Sequence, residues 1–138
     1  MASSTAGNDL EFDIPGVVSL DWDTGSRSVF VVWKGGGTGA DFYALLEAEL
    51  RALRARSAQH LLADLRRQPP LDAEAQDFGD HEWLPRALAA GLKRFAIVVP
   101  DNRDAAVNVE DRLGSTARDQ LEVGFFHSVD AAREWLNR

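Results

Sequence analysis

The sequence contains no cysteine in its 138 residues. Disulfide bonds, thiolate catalysis and cysteine-based metal sites are therefore excluded, and the absence is compatible with the cytoplasmic location that we expect. No apolar run approaches the roughly 18 residues that a membrane span needs. The opening segment MASSTAGN is neither basic nor apolar, so we expect a polar tail rather than a signal peptide.

Basic residues are also in short supply, because 15 Lys and Arg stand against 22 Asp and Glu, for a net charge of -7. This charge repels a phosphate backbone and the basic residues are dispersed, so we expect no nucleic-acid partner. A hydrophobic fraction of 45% is typical of a globular chain. The length suits one core, which predicts a flexible tail over residues 1–14 and one domain over 15–138.

The apolar pattern predicts an α/β fold. Near-continuous apolar runs at 61–65 and 95–99 are typical of parallel strands that are covered on both faces, and the stretch 72–90 between them has helical spacing. Pro85 predicts a kink in that helix. Further strands are expected at 17–22, 27–34 and 122–126, and further helices at 40–56, 104–113 and after Ser128. The predicted order is ββαβαβαβα, with a mixed, mostly parallel sheet of about five strands and helices packed on it.

Two motifs resemble known sites. Asp23-Thr24-Gly25-Ser26 spells the aspartic-protease tetrapeptide, but these residue types are also what a hairpin turn selects, and we interpret the segment as a turn. Gly35, Gly37 and Ala40 have the G-x-G-x-x-A spacing of dinucleotide-binding loops. The chain has room for only half of such a fold, so a slack glycine loop is the favoured interpretation.

No complete catalytic or metal-binding set is present. His81-Glu82 begins like the zinc motif H-E-x-x-H, but Pro85 occupies the position of the second histidine. His60 and His127 are distant in sequence, and no G-x-S-x-G elbow occurs. We therefore predict no enzyme activity, no metal and no cofactor.

The carboxyl ends of the parallel strands are where ligands collect in open α/β sheets. Asp64, Arg66 and Arg67 follow one strand, Asn102 follows the next, and Trp83 could lie close by. These five residues predict a shallow site for an anion, a lipid headgroup or an acidic segment of a protein partner. The alternative is that Asp64 pairs with a neighbouring cation and the arginines are simply solvated.

Several segments resemble bacterial STAS-like proteins, which are similar to the sporulation anti-anti-sigma factor and share a fold with Sec14-type lipid-binding domains. The segments are VWKG (32–35), LLADLR (61–66), EWLP (82–85), GLKRFAIV (91–98), and FF (125–126) with AAREWL (131–136). The resemblance implies a small binding module. Anti-anti-sigma factors carry an Asp-Ser pair whose serine is phosphorylated, whereas Asp72 is followed by Ala73 here, so that switch is missing.

The sequence therefore predicts a non-enzymatic, STAS-like regulatory module that acts through protein-protein interaction. The alternative is a carrier of a small molecule, anion or lipid at the strand ends. A homodimer is possible because four tryptophans leave room for an aromatic interface.

Overall fold

A computed structural model describes residues 9–101, 103, 106–107, 110–111 and 120–138. The strands are β1 (Asp9–Ile14), β2 (Val18–Asp23), β3 (Ser28–Trp33), β4 (His60–Asp64), β5 (Arg94–Val98) and β6 (Glu122–Phe126). The helices are α1 (Gly39–Arg56), α2 (Ala73–Phe78), α3 (Leu84–Ala89) and α4 (Val129–Leu136), and a π-helical turn (Gly79–Trp83) joins α2 to α3.

The six strands form one sheet in chain order. β1, β2 and β3 pair antiparallel, since turns of a few residues connect them. β3, β4, β5 and β6 pair parallel. α1 makes the crossover from β3 to β4, and the α2–α3 segment makes the crossover from β4 to β5. The predicted α/β class and mostly parallel sheet are confirmed.

The sheet has one strand more than expected, because residues 9–14 form β1 where the sequence predicted a tail. Phe12 and Ile14 of β1 are half-buried and pack against the main core. They alternate with Glu11 and Asp13, so the strand has one apolar face and one wet face. Residues 9–14, which the sequence assigned to the tail, are therefore part of the sheet.

The helical stretch between β4 and β5 carries the predicted distortion. The Leu84 N–H donates to the Gly79 carbonyl, five residues back, so this turn is wider than an α-helical one. Pro85 follows directly, and a proline lacks the N–H that an α-helix needs and crowds the carbonyl four residues earlier. The proline explains why the helix widens at this point.

Helices cover both faces of the sheet. α1 and the α2–α3 segment pack on one face against alternating residues such as Val31, Ala63 and Ile97. α4 packs on the other face, where Ala132 and Leu136 meet Leu62, Ala96 and Val98. Of the helix predicted at 104–113, residues 104–105, 108–109 and 112–113 lie outside the described residues, and 106, 107, 110 and 111 are helical.

Candidate functional site

The described residues line a polar depression and an apolar one, which we call the polar cleft and the apolar cavity. The polar cleft lies at the carboxyl ends of β3 and β4 and has a volume of about 370 Å³. It is lined by Val32, Trp33, Lys34, Asp64, Arg66, Arg67 and Asp101. The structure thus brings together three of the five residues that the sequence singled out, Asp64, Arg66 and Arg67.

The oxygens of the Asp64 carboxylate are occupied by hydrogen bonds from Arg66, two residues later in the chain. Its oxygens accept from Arg66 Nε at 2.9 Å, from Nη2 at 2.7 Å and from the Arg66 backbone N–H at 3.1 Å. The Asp64 side chain is 7% exposed and that of Arg66 is 41% exposed. The hydrogen bond and the charge of Asp64 raise the pKa of Arg66. The pair has the geometry of a structural ion pair, which is the alternative that the sequence left open.

The remaining charges of the polar cleft hold a ligand poorly. Arg67 is exposed and makes no hydrogen bond or ion pair with the residues that the structure describes. Lys34 is 46% exposed and its Nζ lies 3.8 Å from Asp13 Oδ1. Asp101 adds a second carboxylate. An anion there would meet solvated cations and a nearby acid, an arrangement that gives little binding energy.

Trp83 does not join the polar cleft, contrary to the sequence expectation. It lies in the π-helical turn, is 6% exposed, and lines the apolar cavity instead. The sequence predicted that Trp83 lies on a helix, but a local pattern does not show whether that residue borders the strand ends or the cavity. Asn102, the last predicted site residue, lies outside the described residues.

The apolar cavity lies between α1, the π-helical turn and the sheet, and its volume is about 80 Å³. Aromatic and aliphatic side chains make up most of its wall, among them Trp33, Phe42, Leu46, Trp83 and Phe95. The Trp83 and Phe95 rings lie 6.4 Å apart between centroids. Gln68 and Leu71, which are half-buried, lie where the β4–α2 connection borders the cavity.

One carboxyl group faces this apolar wall. Glu49 of α1 is 5% exposed, lines the cavity, and forms no hydrogen bond or ion pair with any described residue. Burial raises the pKa of Glu49 to about 8. The side chain is therefore largely an uncharged carboxylic acid at neutral pH, and it can donate a hydrogen bond as well as accept one.

The indole of Trp83 is the second unsatisfied group of the wall. Its Nε1 is buried and has no hydrogen-bond partner among the described residues. A buried donor without an acceptor costs about 1–3 kcal/mol. Two residues that line the cavity, Glu49 and Trp83, therefore carry a polar group that no other described residue satisfies.

Sequence reasoning missed Glu49, although a signal was present. The apolar stripe of α1 runs through Phe42, Leu45, Leu46, Leu50 and Leu53, and Glu49 stands seven residues after the first of these. A residue at that spacing shares the buried face of the helix. An acid inside an apolar stripe is the pattern that could have marked the site.

The two motif resemblances have structural explanations. Thr24 to Arg27 form the β2–β3 turn, and Asp23 accepts hydrogen bonds from Ser26 and from Arg133 Nε, the latter at 3.0 Å. No second carboxylate stands beside Asp23 in these contacts, as a protease pair requires.

The glycine loop between β3 and α1 is explained by its backbone conformation and not by a bound nucleotide. Gly37 has a φ of +105°, and a Cβ there would lie 2.8 Å from Val17. The N-terminus of α1 is capped by Thr38 and Asp41, whose side chains accept from each other's backbone N–H. Because the Asp41 carboxylate occupies this helix end, a pyrophosphate would meet a negative charge there.

The three histidines lie apart from one another, and two of them contact oxygen atoms of different residues. His60 Nδ1 lies 3.1 Å from the Ser26 carbonyl oxygen, and His81 Nδ1 lies 2.9 Å from Asp77 Oδ1. His127 is exposed at the end of β6. Within the described residues no three His, Asp or Glu side chains gather as a metal would require.

Comparisons of the chain with protein families, with curated proteins and with solved structures found no match. The resemblance to STAS-like proteins accordingly stays a prediction. In the described part of the chain, no helix combines the length and the apolar character needed to cross a membrane.

Proposed function

We propose that this chain is a binding module for a small, largely apolar molecule that occupies the apolar cavity. The observation that carries the proposal is the pairing of an apolar wall with two buried, unsatisfied polar groups, Glu49 and Trp83 Nε1. Apolar walls with a few placed polar groups are what small-molecule sites have in common. The carrier function that the sequence offered as its alternative thus moves from the strand ends to the cavity beneath α1.

The size of the cavity limits the ligand. A volume of about 80 Å³ has room for roughly five to eight water molecules, at 10–15 Å³ each. The ligand, or the part of it that enters, therefore has about five to eight non-hydrogen atoms. The wall supplies affinity by excluding water from apolar surface, and the two polar groups supply orientation.

The regulatory protein-protein role, the STAS-like identity and the cytoplasmic location remain predictions from the sequence. A large contiguous patch of exposed apolar side chains is one feature that marks a protein-binding surface. Among the described residues Val107 is the one large hydrophobic side chain that is exposed, at 46%. The surface therefore gives this role less support than the cavity gives to ligand binding.

Thermal unfolding of the full chain tests the proposal with three uncharged probes of suitable size, benzene, 1-pentanol and 2-pentanone. We expect at least one of them to raise the unfolding temperature, by the equivalent of about 2.7 kcal/mol at a hundredfold excess over its dissociation constant. Saturation-transfer NMR with the same probes measures binding independently.

The matched control is Ala63→Leu, because Ala63 is 3% exposed in β4 and lines the cavity. The added side chain fills the site, so binding of the probes should be lost while the folded spectrum is kept. The proposal is wrong if none of the probes binds the unmodified chain, or if they bind the filled variant equally well.

A further inference from the structure

We infer that the ligand of the apolar cavity is a small, uncharged carbonyl compound, whose oxygen accepts hydrogen bonds from the indole N–H of Trp83 and from the acid group of Glu49. This inference rests on the proposed function, and it adds the chemical class of the ligand. It follows from the charges of the wall, from the two unsatisfied groups and from the protonation of the buried acid.

The charges of the wall exclude an anion. Glu49 and Asp80 are the ionisable side chains among the described residues that line the cavity, and both are acidic. The whole chain also carries a net charge of -7. A carboxylate or phosphate entering the cavity would lose its hydration and meet no cation in return.

The indole N–H of Trp83 and the acid group of Glu49 are both donors that an acceptor atom of a ligand would satisfy. An indole N–H donates only, so the missing partner of Trp83 Nε1 must be an acceptor atom. Glu49 meets no cation and no donor in the described part of the chain. A buried acid without a counter-charge holds its proton, so it presents an O–H donor as well. A carbonyl oxygen has two lone pairs, so it can accept from an N–H and from an O–H at the same time.

A cationic amine fits this wall less well. An ammonium group only donates, so it leaves the indole N–H without a partner. It also requires the ionised form of Glu49, which burial disfavours. The amine is nevertheless the alternative that an acidic, aromatic wall could accept. The two ligand classes depend on pH in opposite directions, which makes them separable.

Isothermal titration calorimetry of the full chain compares three probes of similar length: 2-pentanone, pentylamine and pentanoate. We expect 2-pentanone to bind more tightly than either charged probe at pH 7. Trp83→Phe and Glu49→Leu should each weaken 2-pentanone about fivefold, the size of one net hydrogen bond. Glu49→Gln keeps a donor at this position and should keep the affinity within about threefold.

The pH profile gives a second readout. With the Glu49 pKa at about 8, the affinity for 2-pentanone should fall about threefold from pH 7 to pH 9 if ionisation only removes the donor, and up to about tenfold if the carboxylate also repels the carbonyl oxygen. The Glu49→Gln chain should show no such fall. Asp80 of the π-helical turn is the other ionisable residue among the described ones that line the cavity, and Asp80→Asn should leave the fall in place. Circular dichroism at each pH checks that the chain is folded.

The outcomes separate the two proposals. If benzene binds and 2-pentanone is neither tighter nor sensitive to Trp83→Phe, the cavity binds ligands but the carbonyl assignment is wrong. If pentylamine binds most tightly and gains affinity as pH rises, the ligand is a cation and the inference is overturned. If no probe binds at all, the proposed function fails together with it.

Discussion

Glu49→Gln is expected to change how the stability of the fold depends on pH. Burial raises the pKa of Glu49 from an ordinary 4.5 to about 8. Between these values the folded chain holds a proton that the unfolded chain has lost, so stability falls as pH rises. At about 1.36 kcal/mol per pH unit, the loss from pH 5 to pH 7 is roughly 3 kcal/mol. Glutamine does not titrate and should remove this loss.

Urea denaturation at pH 5, 6, 7 and 8 measures the effect, with tryptophan fluorescence as the probe because Trp33 and Trp83 are buried. The unfolding free energy of Glu49→Gln, relative to the unmodified chain, should rise by roughly 3 kcal/mol from pH 5 to pH 7. Glu47→Gln on the exposed side of the same helix is the matched control. Its difference from the unmodified chain should be flat with pH, to within about 0.5 kcal/mol. If the unfolding free energies of Glu49→Gln and of the unmodified chain change with pH in parallel, Glu49 is not a buried, unpaired acid.

Three further changes test the packing by urea denaturation. Glu49→Leu completes the apolar stripe and should stabilise the fold by roughly 3 kcal/mol at pH 7. Asp64→Leu removes three hydrogen bonds and should destabilise it by roughly 2 kcal/mol. If both variants change the unfolding free energy in the same direction, the distinction between the two acids is wrong. Gly124→Ala should cost about 1–3 kcal/mol, because its Cβ would lie 2.8 Å from the Phe126 ring, and Gly39→Ala, whose Cβ meets nothing within 4 Å, is the control that should not destabilise. A Gly124→Ala chain as stable as its parent would show that the ring can move aside.

Local patterns were sufficient for the parts of the fold whose residues repeat regularly. The stripe of α1 gave a helix at 40–56, and the structure has Gly39–Arg56. The apolar run at 61–65 lies within one residue of β4, His60–Asp64. Such segments are predictable because burial on one or both faces imposes a period of 3.6 or a continuous run.

β1 was missed for a different reason. Its alternation of apolar and acidic residues is only six residues long and follows the polar segment MASSTAGN. Its stability as a strand comes from antiparallel pairing with β2 and from packing of Phe12 and Ile14 on the core. A short edge strand of this kind is stabilised by its partner strand, and that pairing cannot be predicted from the residues of the strand alone.

The location of the candidate site was also beyond the local pattern. The rule for strand ends correctly gathered Asp64, Arg66 and Arg67, but it could not tell that Arg66 folds back to occupy both oxygens of Asp64. The cavity forms only where the π-helical turn brings Trp83 over the buried face of α1. That placement is a tertiary event, because it depends on a helix distortion at Pro85 and on the crossover from β4 to β5.

The two acids that are buried among the described residues show why the cavity, and not the polar cleft, is the better site. Asp64 and Glu49 are each 5% exposed, so both lose their hydration on folding. Asp64 recovers it from the guanidinium and backbone of Arg66. Glu49 recovers nothing from the described residues, and the indole N–H of Trp83, another residue that lines the cavity, also has no acceptor among them. An apolar residue at position 49 would avoid that cost, so a bound molecule that accepts these hydrogen bonds is the compensation that the geometry leaves open.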